Sequence, residues 1–160
     1  MTTIAFDAKG FIAADSQTTF GNNERAQRPT TKIVHIGDAL YAFAGLSSAK
    51  AALIQWHASG ADPDKQPKFA TGPTYDWYML VIRAGAPTRY YHEGSPYGVE
   101  IDPPFALGSG GDYALGAMGA GADAKEAVVI ATHLDVKTGG EIQVVNIAEA
   151  LRSQIKEAAE

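Results

Sequence analysis

The segment Met1-Thr-Thr-Ile-Ala-Phe-Asp-Ala-Lys-Gly-Phe-Ile-Ala-Ala-Asp15 decides the fold. Thr2, Ile4 and Phe6 alternate with smaller or polar residues, the period-two pattern of a strand. Asp7 to Gly10 carries a turn signal, and Phe11 to Asp15 then reads as the returning strand of a hairpin. A single methionine precedes the threonine pair. Methionine ahead of a small residue is a substrate for trimming, which would expose Thr2 as the first residue. Its α-amine would then have a reference pKa of about 7.7–8.0. A hydroxyl nucleophile needs a base, and a free amine on the same residue can be that base.

Moving outward, Thr31–Ile36 and Ala39–Gly45 form a second strand pair across the turn at Gly37 and Asp38. From Leu46 to Ala58 the period changes. Ala51, Leu53, Ile54 and His57 suit one helical face, and Ser47 or Ser48 can cap the helix. Residues 59–75 are rich in Gly, Pro, Asp and Lys and read as a loop. Tyr75–Gly85 and Pro87–Gly94 read as paired strands, and Ser95–Pro104 as irregular. Phe105–Asp135 holds a short strand, a glycine turn and two helices broken at Gly119 and Gly121. Asp123 and Glu126 form a capping box for the second of these helices. Thr138–Ile147 is a turn and strand, and Ala148–Glu160 a terminal helix. This order suits a layered α+β domain better than a doubly wound parallel sheet.

Composition narrows the function classes. At 160 residues the chain fits one domain, 1–160, able to bury a core. The net charge of −5 argues against a nucleic-acid partner. With no cysteine, disulfides, thiolate catalysis and thiolate-bound zinc are excluded. No apolar run approaches the roughly 20 residues of a membrane span. The start lacks a secretory signal pattern, so a cytoplasmic location and no membrane partner are expected. The four histidines have no metal-ligand spacing, and no metal or other cofactor is expected. Gly108–Tyr113 fails the dinucleotide pattern, since Tyr113 stands at the third glycine position, and lacks the phosphate-loop lysine. The aromatic pairs Trp77-Tyr78 and Tyr90-Tyr91 read as strand packing, with no basic cluster beside them.

Set beside these readings, the chain resembles the proteasome family of N-terminal nucleophile hydrolases, both the proteasome β-subunit and the peptidase HslV. Thr2–Phe6 looks like the family's threonine-led first strand. Gly10–Asn22 is similar to the HslV segment that carries the catalytic aspartate at a strand end, and this aspartate falls on Asp15. Within it, Thr19 falls on the residue whose backbone pairs with bound peptide. Thr31–Ile36 puts Lys32 at the catalytic lysine. Tyr41–Leu46 puts Gly45 at the oxyanion-hole N–H. Gly108–Ala117 puts Ser109 beside the nucleophile. Asp135–Gly140 resembles the proteasome motif with Asp135 and Thr138 as supporting residues. The specificity pocket would draw on Ile33 to His35, Phe43 and Ser47 to Ala49, a mostly apolar set.

The resemblance implies an αββα sandwich with a shortened helix region, because residues 59–75 replace a second long helix. It implies a threonine endopeptidase in a homo-oligomeric ring, with stacked rings, served by an ATP-dependent unfoldase that supplies unfolded polypeptide. Two other readings stay open: an amidohydrolase of the same fold without a ring, and a non-catalytic assembly protein in which Met1 is retained.

Overall fold

The computed structural model describes residues 2–20, 24–69 and 76–157, with side chains through Ser153. Met1, the Gly21–Asn22 end of the Asp15 segment, residues 70–75 of the long loop and the last three residues lie outside the described residues. Among the described residues nine strands form two antiparallel sheets. The first has the order β8 (Phe105–Gly108), β1 (Thr3–Phe6), β2 (Phe11–Ala14), β9 (Gln143–Asn146). The second has the order β3 (Ile33–Ile36), β4 (Ala39–Gly45), β5 (Trp77–Arg83), β6 (Arg89–His92), β7 (Ser95–Glu100).

Three apolar layers hold the sheets and helices together. Between the sheets lie Ile4, Phe6, Ile12, Leu40, Leu80 and Leu107. Burying each large aliphatic chain here contributes about 1.5–3 kcal/mol. The other face of the first sheet offers Ala5 and Ala13 to α2 (Gly111–Gly119) and α3 (Ala124–Leu134). Ala114, Ala124 and Ala127 answer from the helices, so small residues let these elements approach closely. The outer face of the second sheet packs Tyr41, Phe43, Trp77 and Met79 against Leu53 and Trp56 of α1 (Lys50–Ala58). The layers therefore run helix, sheet, sheet, helix, as the sequence implied. Leu151 of α4 (Ile147–Glu157) adds to the inter-sheet layer.

Asp7 joins two of these layers. Its carboxylate is buried and accepts the Lys9 and Phe11 N–H groups at 2.9 Å each, closing the β1–β2 turn. Its second oxygen accepts the N–H of Ala124, the first residue of α3, at 2.9 Å. A carboxylate at a helix N-terminus is favourable, and Asp7 thereby fixes α3 against the hairpin. The Asp123/Glu126 capping box is formed as read from the sequence.

Three local expectations are corrected. Ser95–Glu100 is an ordered strand, β7, not an irregular stretch. Gly98 is needed there because a side chain would meet the Tyr91 ring across the pair, with the nearest ring atom at 2.6 Å. Neither Ser47 nor Ser48 caps α1; Ser47–Ala49 forms a short 3-10 turn and the N-cap is Ala49, with no side-chain bond. The buried side of α1 is Leu53 and Trp56 behind Ala49, whereas Ala51 is exposed. Residues 59–69 are loop apart from a 3-10 turn at Pro63–Lys65, so among the described residues α1 is the one α-helix on this face, with Ala61 and Phe69 of the loop packing beside it.

Candidate active site

Thr2 stands just ahead of β1, a strand paired on both sides, and is buried. The β1–β2 register places Ile4 opposite Ala14, so the next residue, Asp15, arrives beside Thr3. Its N–H donates to the Thr3 carbonyl at 3.2 Å. Asp15 is fully buried and accepts five hydrogen bonds. Oδ1 receives the Thr2 hydroxyl at 3.1 Å, the Thr3 N–H at 2.9 Å and the Lys32 ammonium at 2.7 Å. Oδ2 receives the N–H groups of Gln17 at 3.3 Å and Gly139 at 3.0 Å.

Lys32 leads into β3 and is placed through its own backbone. Its N–H donates to Gln143 Oε1 at 2.7 Å, and its carbonyl accepts from Phe43 at 2.9 Å. Nζ donates to Asp15 and, at 2.7 Å, to the Gln17 carbonyl. Burial pushes the Lys32 pKa down, with the Asp15 charge and hydrogen bond pulling against it. The Thr2 hydroxyl and the Lys32 ammonium thus converge on one carboxylate oxygen.

A second set lies on the far side of β1. Asp135 caps the C-terminus of α3, and its Oδ2 accepts both Ser109 Oγ and Thr138 Oγ1 at 2.6 Å. Burial raises the Asp135 pKa, but the bonds from Ser109, Thr138 and the Lys137 N–H outweigh this and hold it below the usual carboxylate value. Thr138 spends its one proton on Asp135, so its 2.6 Å contact with Thr3 Oγ1 is donated by Thr3. Ser109 likewise spends its proton on Asp135, since its contact to the Thr2 carbonyl is 3.5 Å. Its lone pairs remain available to a donor from Thr2.

Thr2, Gly45, Tyr78, Tyr90, Leu107, Gly108 and Ser109 line a cleft of about 370 Å³. Two glycines make this approach possible. Gly108 has φ +91° and an added Cβ would overlap the Thr2 carbonyl; Gly45 has φ +87° and a Cβ would overlap the Asp76 carbonyl.

The structure therefore brings Thr2, Asp15, Lys32, Gly45, Ser109, Asp135 and Thr138 into one neighbourhood. Phe43 lies instead in the layer facing α1, stacked on Tyr41 at 6.2 Å with Lys50 Nζ 5.9 Å above its ring. Ser47 is exposed at the 3-10 turn. Thr19 makes a bridge to Arg25 in the excursion after Asp15. None of these three is among the residues of the cleft. The sequence reading passed over Thr3, Gln17, Tyr78, Tyr90, Gly108 and Gly110. Gly110 admits the Thr3–Thr138 bond, because a Cβ there would overlap Thr3 Oγ1. The tyrosines carried a usable signal: Trp77 and Tyr91 face α1, and strand alternation turns Tyr78 and Tyr90 the other way.

Among the described residues no His/Asp/Glu group could hold a metal ion, and no helix is long and apolar enough to cross a membrane. No family model and no curated relative matches the sequence. The structure, however, superimposes on eukaryotic HslV from Trypanosoma brucei with a TM-score of 0.67 and 21% identity, over 91% of this chain and 98% of that one. The chain has the HslV fold. Thiobacillus denitrificans BPH in complex with epoxomicin matches with a TM-score of 0.62, 21% identity and 91% and 97% coverage. The same protein described without that compound gives 0.61, 21%, 90% and 95%. The HslV-like arrangement accounts for the two sheets and the flanking helices as an αββα sandwich.

Proposed function

We propose that the chain is a threonine endopeptidase whose nucleophile is Thr2, freed by removal of Met1. The observation that carries this reading is the shared Asp15 oxygen, which gathers the Thr2 hydroxyl and the Lys32 ammonium at the wall of an open cleft. As Thr2 Oγ attacks a peptide carbonyl, its proton passes to the α-amine of the same residue. The Lys32 charge lowers the cost of the developing alkoxide, and Asp15 holds both groups. The Gly45 N–H receives the oxyanion, a donor of a kind worth about 3 kcal/mol. The α-ammonium, accepted by Ser109 with Asp135 and Thr138 behind it, then gives its proton to the departing amine. The acyl ester on Thr2 Oγ is finally cleaved by water activated by the same amine.

The fold similarity supports a self-compartmentalising enzyme: a homo-oligomeric, stacked ring, fed unfolded polypeptide by an ATP-dependent partner. The BPH–epoxomicin complex supports the use of an epoxyketone as a probe. Such a compound needs both a hydroxyl and a free amine on one residue to close its ring adduct.

The test combines intact mass with activity. Wild-type protein should lack the mass of Met1, gain one epoxyketone adduct and cleave unfolded peptide. Thr2→Ala should lose hydrolysis, by a factor of at least ~10³, while folding and assembly persist. Unchanged hydrolysis in Thr2→Ala would sink the reading, and a retained Met1 would favour the non-catalytic assembly protein.

A further inference from the structure

The cleft beside Thr2 has two unlike walls. Thr2, Gly108 and Ser109 come from the end of the first sheet. Tyr78 and Tyr90 come from the second, their rings nearly parallel at 8° and 6.3 Å apart. Tyr90 is braced from behind by Phe105 at 5.5 Å. No lining side chain is charged. Burial pushes the Tyr90 hydroxyl up to about 12, with Tyr78 adding to the shift, so the wall stays neutral across ordinary pH. The volume, about 370 Å³, falls at the small end of the roughly 300–1,000 Å³ of ligand clefts. That is room for one large side chain and its backbone, not for a folded partner.

Proton transfer fixes which part of a peptide lies here. Cleaving an amide releases an amine, and its nitrogen must receive a proton as the C–N bond breaks. On the peptidase reading, the donor is the Thr2 ammonium, whose neighbour is Ser109. Ser109 holds its own proton toward Asp135 and forms part of this cleft wall. The departing amine, and the side chain attached to it, must therefore lie on the Ser109 side. Phe43 belongs to the opposite face of β4 and does not reach this space.

We propose that the Tyr78/Tyr90 cleft is the subsite for the residue that follows the scissile bond, and that it selects large uncharged side chains, aromatic or long aliphatic. The aromatic wall gains by burying an apolar group against the stacked tyrosine pair. A carboxylate or ammonium buried against the rings would lose its water and find no charged side chain there, and the Thr2 ammonium is already engaged by Ser109 on the proposed mechanism. This inference rests on the peptidase reading and adds to it a substrate class.

Internally quenched peptides varied only at the residue after the cleaved bond test it, with the cut located by mass spectrometry. The full-length protein, Met1 removed, should cleave before Phe or Leu with kcat/KM about tenfold or more above Gly, Asp or Lys. Tyr78→Ala should flatten that ranking while leaving the ranking at the preceding residue in place. Tyr78→Leu, a gentler change, should keep Leu and lose the advantage of Phe. Equal cleavage before all five residues overturns the inference alone, as does a ranking in Tyr78→Leu and Tyr78→Ala identical to wild type. A protein that shows no Thr2-dependent cleavage of any peptide overturns the peptidase reading along with it.

Discussion

Two carboxylates flank Thr2, and their surroundings differ in kind. Asp15 is wholly buried and takes three backbone N–H groups, one hydroxyl and one ammonium. Asp135 is half-buried, and the oxygen that faces the site takes hydroxyls only, from Ser109 and Thr138. A backbone N–H can only donate, so the donors on Asp15 make a fixed frame. A hydroxyl both donates and accepts, so the row from Thr3 through Thr138 to Asp135 and Ser109 can re-orient and pass a proton. On the proposed mechanism, the same side-chain type would serve once to hold charge in place and once to let a proton move. Only the donors around it tell the two apart.

The largest expected effect comes from breaking the frame. Asp15→Asn leaves the Lys32 ammonium buried without its partner, and such a loss costs about 3–5 kcal/mol. Denaturant unfolding should show it, and hydrolysis should vanish. A variant as stable as wild type would mean that Asp15 is no frame.

Asp135→Asn should cost less, about 1–2 kcal/mol, since solvent can replace part of what is lost. Its signature is in pH. The folded pKa of Asp135 lies below its unfolded value, so its contribution is complete above the ordinary carboxylate pKa of about 3.9 and is lost as pH falls through the lower folded value. Unfolding measured from about pH 5 down to pH 2 should therefore be less steep in Asp135→Asn than in wild type. Identical slopes would remove Asp135 from the comparison.

The smallest effect sharpens it. Thr3 touches both sets, with its N–H on Asp15 and its hydroxyl on Thr138. Thr3→Val keeps the first and deletes the second. It should cost about 1 kcal/mol, lower kcat several-fold with little change in KM, and move the acid limb of the pH–rate profile. Thr3→Ser should restore all three. A Thr3→Val enzyme with an unmoved profile would show that the two sets act independently.

The fold was legible where local chemistry is strong. The β1–β2 hairpin followed from alternation and a turn signal, and the α3 start from its capping box. β7 was not legible, because Pro96 and Gly98 disguise its alternation and Gly98 serves a ring on the neighbouring strand. The α1 face was misread because a competing stripe was chosen: Ala49, Leu53 and Trp56 stand at i, i+4 and i+7, and this is the face that packs on β4 and β5. At the site, the position of Thr2 behind a single methionine singled it out, and the family resemblance pointed to Asp15 and Lys32. The role of Thr3 was invisible: its partner Thr138 is 135 positions away in the chain, and only the packing of α3 against the hairpin brings them together.

The pairing of β1 on both edges has a consequence in time. Its position is set by Thr3–Phe6, against Ile12–Ala14 on one side and Phe105–Gly108 on the other. Both ladders as described begin beyond Thr2, at Ile4 and at Thr3. On the proposed activity, folding and activation would be separate events: the ladders that position the strand do not use Thr2, and a single peptide-bond cleavage ahead of it would then start the enzyme.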